Sequence, residues 1–213
     1  MPIDFMMNGD RPERPTILLA HGAGAAMDTP WMTSIAERLA ARDMRVARFE
    51  FAYMAARRTG GPKRPPPKID LLLEEYQSAI DALAPDGPLI LAGKSMGGRV
   101  ASMNAEDLFQ SGKIAGLLCL GYPFHPRGKP ESLRTDHLRP LTVPTLICQG
   151  TRDPLGTKEE VQSYNLPSAI RIHWLPDGDH DLKPRKRETG LTLEDHLATT
   201  ANTIRDWGNV LVG

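Results

Sequence analysis

The feature that most constrains the fold of this chain is a regular alternation between short apolar segments and longer amphipathic ones. Six apolar segments have the length and composition of β-strands: 16–22, 44–51, 88–94, 115–124, 144–150 and 169–175. Five amphipathic segments are predicted helices: 31–42, 69–83, 97–110, 158–164 and 193–210. Because strands that alternate with helices form parallel sheets covered on both faces, we predict an α/β fold with a doubly wound, mostly parallel sheet of about six to seven strands.

Length and composition favour one globular domain. The chain has 213 residues, of which 40% are hydrophobic, enough for one sizeable core. We expect a single domain over residues 1–213, in which residues 1–15 form an N-terminal extension or an edge strand. Residues 54–68 read MAARRTGGPKRPPPK and are too rich in proline and glycine for a helix or a central strand, so we predict a basic loop there.

The charge balance and the apolar segments limit the possible partners. Lysine and arginine together number 26, as do aspartate and glutamate, so the formal net charge is zero and attracts neither nucleic acid nor a membrane surface. The longest apolar segments span about 5–8 residues, whereas a membrane helix needs roughly 18–20. The N-terminal residues also lack the apolar segment of a signal peptide. We expect a cytoplasmic protein without a membrane or nucleic-acid partner.

The two cysteines indicate neither a disulfide nor a metal site. Cys119 and Cys148 both lie inside predicted strands, where buried, reduced thiols are expected. Neither has the spacing of a metal ligand, and the sequence predicts no metal site.

Residues 93–97 read GKSMG and match the G-x-S-x-G pattern of a nucleophile elbow. The pattern falls between a predicted strand and a predicted helix, which is the context that it requires. The flanking glycines remove β-carbons that would collide with the neighbouring strand and helix, and the tight turn pushes the serine hydroxyl into a cleft. We therefore predict that Ser95 is a nucleophile.

A serine hydroxyl needs a histidine base, and the histidine needs a carboxylate to orient it. Asp153 follows the strand at 144–150, and His180 lies in the loop beyond the last strand. The order Ser, Asp, His along the chain is typical of α/β-hydrolases. Three other aspartates are weaker candidates, since a side chain next to the histidine in sequence seldom lies behind its ring. They are Asp177, Asp179 and Asp181.

An acyl-transfer site also needs two amide donors for the oxyanion. The residue after the nucleophile supplies one, which predicts the Met96 amide. The second is expected in the loop after the first strong strand, where residues 21–25 read HGAGA. By position Ala23 is the first candidate and Gly24 the second, and His21 is expected to brace the loop.

Together these elements resemble the α/β-hydrolase superfamily from about Thr16 to the last helix. The segments HGAGAAMD, GKSMGGRVAS, GYPFHP, GTRDP and GDHDL are similar to a small lidless group related to dienelactone hydrolases, which also holds a human testis-expressed protein. The resemblance implies a serine hydrolase with an α/β-hydrolase fold and no cap domain. Dienelactone hydrolases proper use a cysteine nucleophile, so the serine at position 95 does not imply lactone chemistry.

Two features bear on the substrate. Only about 18 residues, 125–142, are available where cap domains are usually inserted, which disfavours a long-chain lipase. His125 at the start of this segment is either a substrate contact or an ordinary loop residue.

Basic residues are placed by the predicted topology on the same face as Ser95. Arg57 and Lys94 are the candidate substrate contacts among them. The set comprises Arg57, Arg58, Lys63, Arg64, Lys68, Lys94, Arg127, Lys129, Lys183, Arg185, Lys186 and Arg187. Either they are solvated charges, or they attract an anionic ester or thioester. Nucleic-acid binding is disfavoured because almost no aromatic residues lie between the charges.

The leading hypothesis is a serine hydrolase, of the carboxylesterase or thioesterase type, that cleaves a small ester-type substrate through an acyl-Ser95 intermediate. This chemistry needs no metal and no organic cofactor. A peptidase or acyltransferase would use the same residues. The alternative from another class is a binding or scaffold protein that keeps the fold without turnover. The sequence indicates no particular oligomeric state.

Overall fold

The computed structural model describes residues 3–10 and 14–212, and a seven-stranded sheet forms the centre of this part of the chain. The strands are β1 (Met6–Asn8), β2 (Thr16–Ala20), β3 (Arg45–Phe49), β4 (Leu89–Lys94), β5 (Gly116–Leu120), β6 (Thr145–Gly150) and β7 (Ile170–Leu175). Their order across the sheet is β1-β3-β2-β4-β5-β6-β7. Only β1 runs antiparallel to its neighbour among these strands. The predicted α/β fold with a mostly parallel sheet is confirmed.

Helices cover both faces of the sheet. They are α1 (Pro30–Ala40), α2 (Ala52–Ala55), α3 (Ile69–Leu83), α4 (Met96–Gln110), α5 (Lys158–Gln162), α6 (Lys186–Thr189) and α7 (Leu193–Val212), with short 3-10 turns at Ala56–Thr59 and Asp136–Leu138. Helices α1 and α7 contact each other on one face, while α3 and α4 contact each other on the opposite face. Within the described ranges, no helix has the combined length and apolar character that a membrane span requires.

The hydrophobic core lies in two layers, one on each side of the sheet. Strands β2, β4, β5 and β6 are buried along their whole length, as expected for parallel strands covered on both faces. Side chains such as Leu18 and Leu91 face the α3–α4 layer, and Ile17 and Ile90 face the α1–α7 layer. Cys119 and Cys148 are both buried free thiols.

The structure differs from the prediction at the start of segment 54–68, which was expected to be a loop throughout. Residues 52–55 form α2, and residues 56–59 continue as a 3-10 turn that ends at Gly60 with a φ of 85°. The sequence MAARRT at 54–59 contains no proline or glycine, and the buried side chain of Met54 packs on the fold. The breakers begin only at Gly60, so the extended, proline-rich part is confined to residues 60–68.

Candidate active site

Ser95 lies in a tight turn between β4 and α4, with backbone angles φ 52° and ψ −115°. A β-carbon on Gly93 would lie 2.1 Å from the carbonyl carbon of Gly97, and one on Gly97 would lie 2.6 Å from the carbonyl oxygen of His21. Only glycine fits at these two positions, which lets the chain turn sharply enough to expose the serine hydroxyl. The strained conformation at position 95 is typical of a nucleophile elbow.

The structure brings Ser95, His180 and Asp153 into one hydrogen-bonded chain. His180 Nε2 lies 2.7 Å from Ser95 Oγ, and His180 Nδ1 lies 2.8 Å from Asp153 Oδ2. The carboxylate can only accept from Nδ1, so Nε2 is the nitrogen that is free to take the serine proton. This arrangement has the geometry of a base beside a nucleophile.

Asp153 is completely buried, and hydrogen bonds stabilise its charge there. Oδ1 accepts from the amide of Leu155 at 2.8 Å, and Oδ2 accepts from Gln149 Nε2 at 2.9 Å in addition to His180. Three donors around one carboxylate offset the cost of burying it. Asp153 therefore lies behind the imidazole ring, within hydrogen-bond distance of Nδ1.

The three aspartates beside His180 have other partners. Asp177 pairs with Arg185, whose guanidinium lowers the pKa of this carboxyl to about 2. Asp179 accepts hydrogen bonds from the amides of Asp181 and Lys183, each at 2.9 Å. Asp181 lies 3.1 Å from the ammonium group of Lys94. These three carboxylates therefore contact residues in and around the loop that carries His180, and they do not orient its ring.

His21 holds the HGAGA loop in place, as was expected of it. The amide of Phe51 donates to His21 Nε2 at 3.2 Å, so Nδ1 carries the proton and donates to the carbonyl of Gly22 at 2.6 Å. Burial lowers the pKa of His21 and keeps the ring neutral. The peptide bond between Gly22 and Ala23 is trans, so the amide N–H of Ala23 points in the opposite direction to the Gly22 carbonyl that His21 binds.

Tyr53 fixes the next peptide of the same loop. Its hydroxyl donates to the carbonyl of Ala23 at 2.9 Å, and burial raises the pKa of Tyr53 to about 12, so the donor proton is retained. Met96 is the first residue of α4, and its amide has no acceptor within the helix. Both amides predicted to bind an oxyanion therefore belong to backbone segments that flank Ser95.

A cavity of about 240 Å³ adjoins the serine and the histidine. Small side chains of the HGAGA loop form one wall, and α1 forms another. Its lining residues are Gly22, Ala23, Gly24, Ala25, Thr29, Trp31, Met32, Lys94, Ser95, His180 and Asp181. The cavity is smaller than the roughly 300–1,000 Å³ that is usual for sites of drug-sized ligands. Among residues 3–10 and 14–212, no group of three or more His, Cys, Asp or Glu side chains could hold a metal ion.

Lys94 lines this cavity, but its ammonium group is directed into the protein. Nζ donates to the carbonyl of His180 at 2.8 Å, lies 3.1 Å from Asp181 Oδ1, and lies 5.5 Å from the centre of the Trp31 ring. Burial lowers the pKa of Lys94, and the carboxylate of Asp181 opposes that shift. The predicted role of Lys94 as a substrate contact is not supported by this geometry.

His125 does not reach the cavity, contrary to the prediction that it could contact substrate. Its side chain is buried, with Nδ1 2.9 Å from the carbonyl of Pro126 and Nε2 3.4 Å from Glu160. The amide of His125 also donates to the carbonyl of Leu155 at 3.2 Å, which ties this loop to the chain after β6. His125 is therefore a structural loop residue.

Arg57 lies beside a second cavity of about 370 Å³ that shares Gly24, Ala25 and Thr29 with the first. Its neighbour Arg58 pairs with Glu50 and Asp28. Arg57 itself donates to the carbonyl of Arg64 at 2.7 Å and stacks on Tyr53 at 5.7 Å. Within the described part of the chain, no carboxylate pairs with Arg57. Of the predicted basic set, Arg58, Lys94 and Arg185 are paired with carboxylates, whereas Arg57 is not.

Sequence reasoning missed three residues that build this site: Trp31, Tyr53 and Gln149. Gln149 carried a detectable signal, since it is a polar side chain at the end of an otherwise apolar strand. Trp31 and Tyr53 act through contacts to distant segments of the chain, with sequence separations of 150 positions from Trp31 to Asp181 and 30 from Tyr53 to Ala23. No local pattern reveals such a contact.

Comparison with known proteins gives consistent results. A model of the alpha/beta hydrolase domain matches residues 13–209. A lidless serine hydrolase from Xanthomonas campestris superposes with a TM-score of 0.70 at 19% identity, covering 96% of this chain and 89% of that one. A dienelactone hydrolase from Anabaena variabilis gives 0.66 at 17% identity, covering 97% of each chain. Est1E from Butyrivibrio proteoclasticus with bound ferulic acid gives 0.72 at 14% identity, covering 99% and 95%.

These structural neighbours share the fold, and the family match spans nearly the whole chain. The chain belongs to the alpha/beta hydrolase domain family.

Proposed function

We propose that this protein is a serine hydrolase that cleaves a small ester or thioester through an acyl-Ser95 intermediate. The observation that carries the proposal is the hydrogen-bonded chain from Asp153 through His180 to Ser95 beside a cavity. Structural relatives named as an esterase domain and as a dienelactone hydrolase support chemistry of the same class.

In the acylation step, Ser95 Oγ bonds to the substrate carbonyl carbon while His180 Nε2 accepts the hydroxyl proton. The carbonyl oxygen becomes negatively charged, and the amides of Met96 and Ala23 donate to it. When this intermediate collapses, the bond to the leaving oxygen or sulfur breaks. The leaving group takes the proton from Nε2 and departs as an alcohol or thiol.

Deacylation repeats these steps with water as the nucleophile. His180 takes a proton from water as the oxygen bonds to the acyl carbon, and it then returns the proton to Ser95 Oγ when the acid departs. Asp153 stays ionised, holds the ring orientation and stabilises the transient imidazolium.

The cavity volume favours a short acyl group. The cavity beside Ser95 has a volume of about 240 Å³, below the usual range for drug-sized ligands, and the segment at 125–142, which contains only one short 3-10 turn at Asp136–Leu138, adds no cap to it. A series of p-nitrophenyl esters tests this part of the proposal. We expect kcat/KM to be highest for acetate to butyrate and to fall beyond them, and a maximum at eight or more carbons would contradict it.

A negatively charged group on the substrate is the finer part of the proposal, and Arg57 supports it. This guanidinium has no acidic partner among the described residues and lines the second cavity, which shares Gly24, Ala25 and Thr29 with the Ser95 cavity. The test compares p-nitrophenyl esters with carboxylated and neutral acyl chains of equal length, at low and high salt. We expect Arg57→Gln to remove a preference for the carboxylated ester, while Arg187→Gln keeps it. If the wild type hydrolysed the carboxylated and neutral esters at equal rates, with no dependence on salt, the proposed preference for a negatively charged substrate would be contradicted.

A fluorophosphonate probe tests the enzymatic role itself. We expect covalent labelling of the wild type at Ser95 and none in Ser95→Ala or His180→Ala, with circular dichroism showing that all three proteins are folded. A folded wild type that resists the probe would favour the scaffold alternative.

A further inference from the structure

The loop that carries His180 is held by three side chains from three different elements. Consecutive carbonyl oxygens each accept one hydrogen bond. Lys94 Nζ donates to His180 at 2.8 Å, Trp31 Nε1 to Asp181 at 2.9 Å, and His196 Nδ1 to Leu182 at 2.7 Å. The donors come from the end of β4, from α1 and from α7. These three hydrogen bonds fix the backbone at His180, Asp181 and Leu182.

The loop needs such external support because its own backbone is strained. Asp177 and Leu182 have φ values of 55° and 63°, in the left-handed region that non-glycine residues rarely adopt. Strained conformations of this kind persist only when surrounding contacts hold them.

The space around Lys94 Nζ accommodates its hydrogen bond to the carbonyl of His180. A β-carbon on Gly121, whose φ is 65°, would lie 2.6 Å from the carbonyl oxygen of His180 and 3.3 Å from Lys94 Nζ. The absence of a side chain there leaves room for the hydrogen bond. The other directions around Nζ face Asp181 and the Trp31 ring, so the ammonium group is engaged within the protein.

Arg152 makes a parallel set of contacts. It directly precedes Asp153 in sequence, as Lys94 precedes Ser95. Its Nε donates to the carbonyl of Asp177 at 2.7 Å and its Nη2 to the carbonyl of Lys183 at 2.9 Å, which joins the two ends of the loop. The basic neighbours of the nucleophile and of the acid therefore both bind the loop of the third member.

We propose that Lys94 is a positioning residue that places the His180 imidazole between Ser95 and Asp153, by holding the backbone carbonyl of the histidine itself. The inference rests on the proposed hydrolase function and adds a role for a residue that no triad motif specifies. A ring displaced by about 1 Å no longer meets both partners, and displacements of that size cost about 100-fold in rate.

The test measures kcat and KM for p-nitrophenyl acetate in Lys94→Met, which keeps the apolar stem and removes the donors. We expect kcat to fall about 10- to 100-fold with KM within about twofold of the wild type, because Nζ is already engaged by the carbonyl of His180 and by Asp181. Lys113→Met removes a lysine from an exposed position after α4 and is the matched control, with kcat unchanged.

A graded series separates positioning from stability. Trp31→Phe removes the donor to Asp181, and His196→Phe removes the donor to Leu182. We expect the loss of kcat to decrease from Lys94→Met to Trp31→Phe to His196→Phe, following the distance of each carbonyl from the imidazole along the chain. Melting temperatures need not follow this order. If kcat followed melting temperature across the series, the role would be structural and the proposal wrong.

A second readout does not depend on turnover. In protein labelled with ¹⁵N-histidine, the Nδ1 proton of His180 is expected downfield because it is bonded to a buried carboxylate, and we expect this signal to weaken in Lys94→Met. Trp31→Phe serves if Lys94→Met does not fold.

The outcomes distinguish this inference from the proposed function. If fluorophosphonate labels the wild type, but folded Lys94→Met keeps both its kcat and its histidine signal, the inference alone is overturned. A raised KM with unchanged kcat would assign Lys94 to substrate binding and also overturn it. A folded wild type that does not react with fluorophosphonate overturns both.

Discussion

The nucleophile elbow at residues 93–98 and the histidine loop at residues 176–185 are joined by the Ser95–His180 hydrogen bond and by the contacts of Lys94, yet their backbones are held in place by different means. In the elbow, backbone segments approach so closely that a β-carbon on Gly93 would lie 2.1 Å from its neighbour. In the histidine loop, side chains from β4, α1 and α7 bind the carbonyl oxygens. The elbow is fixed by excluded volume over six residues, and the loop by polar contacts from distant parts of the chain.

The difference determines what each region tolerates. A larger side chain in the elbow has no space to occupy, so the expected defect is loss of the fold. Loss of one donor around the histidine loop leaves the core intact, so the expected defects are smaller and concern geometry.

The largest effect is expected for Gly93→Ala. The added methyl would lie within 2.5 Å of three backbone atoms of Gly97 and Gly98, which cannot move without displacing α4. We expect a loss of more than about 4 kcal/mol in the free energy of unfolding, measured by urea denaturation, or no folded protein.

Gly24→Ala is the control for this substitution, because no atom lies within 4 Å of its β-carbon position. Its free energy of unfolding should stay within about 0.5 kcal/mol of the wild type. Equal stability of both variants would show that the elbow is not held by close backbone contact.

Asp153→Asn should reduce activity strongly while the chain stays folded. The amide removes the charge behind His180 and favours the wrong tautomer, so we expect kcat for p-nitrophenyl acetate to fall about 10³- to 10⁴-fold. Asp179→Asn removes the charge of the carboxylate that directly precedes His180 in sequence and is the comparison. A similar loss in both variants would contradict the assignment of the acid to Asp153.

Arg152→Met should affect stability more than chemistry. Two hydrogen bonds to the loop ends are lost, so we expect the unfolding free energy to fall by about 1–3 kcal/mol while kcat falls less than in Lys94→Met. Urea denaturation and steady-state kinetics on the same samples measure both. A larger loss of kcat in Arg152→Met than in Lys94→Met would reverse the proposed order of influence on the histidine.

The last prediction concerns pH, and it compares a site on the helix that follows the elbow with the histidine loop. His137 lies against α4, with Nε2 2.9 Å from Ser102 Oγ and 3.0 Å from the Tyr122 hydroxyl, and burial lowers its pKa from 6.5 to about 4. Between these values the unfolded chain binds more protons, so stability falls as pH falls from 6.5 to 4, by on the order of 2 kcal/mol after allowing for partial exposure.

The histidine loop responds at lower pH. Arg185 lowers the pKa of Asp177 from 3.8 to about 2, so its contribution is present above 3.8 and is lost as pH falls towards 2. Urea denaturation from pH 8 to 3 is the measurement. His137→Gln should flatten the slope above pH 4, and Asp177→Asn should not. If the slope of unfolding free energy against pH were unchanged in His137→Gln, groups other than His137 would cause the acid sensitivity.

The sequence predicted features whose cause is local. The glycines around Ser95 reflect contacts within the elbow, and Asp153 and His180 follow strands that end at the same edge of the sheet. The contact of Lys94 could not be predicted because its partner lies far along the chain, 86 residues away for the carbonyl that it binds. For His125 the sequence left a loop role open, and the structure shows Pro126 and Glu160 as its partners. The end of α2 and the 3-10 turn at Ala56–Thr59 were missed because the breakers that follow them dominated the composition of the whole segment.

The wall of small residues between the two cavities, formed by Gly24, Ala25 and Thr29, is a natural position for protein engineering. A β-carbon added at position 24 has no atom within 4 Å, so the volume of a methyl group there is taken from the cavities. Ala at this position would narrow the substrate range without a change to the triad or to the hydrophobic core.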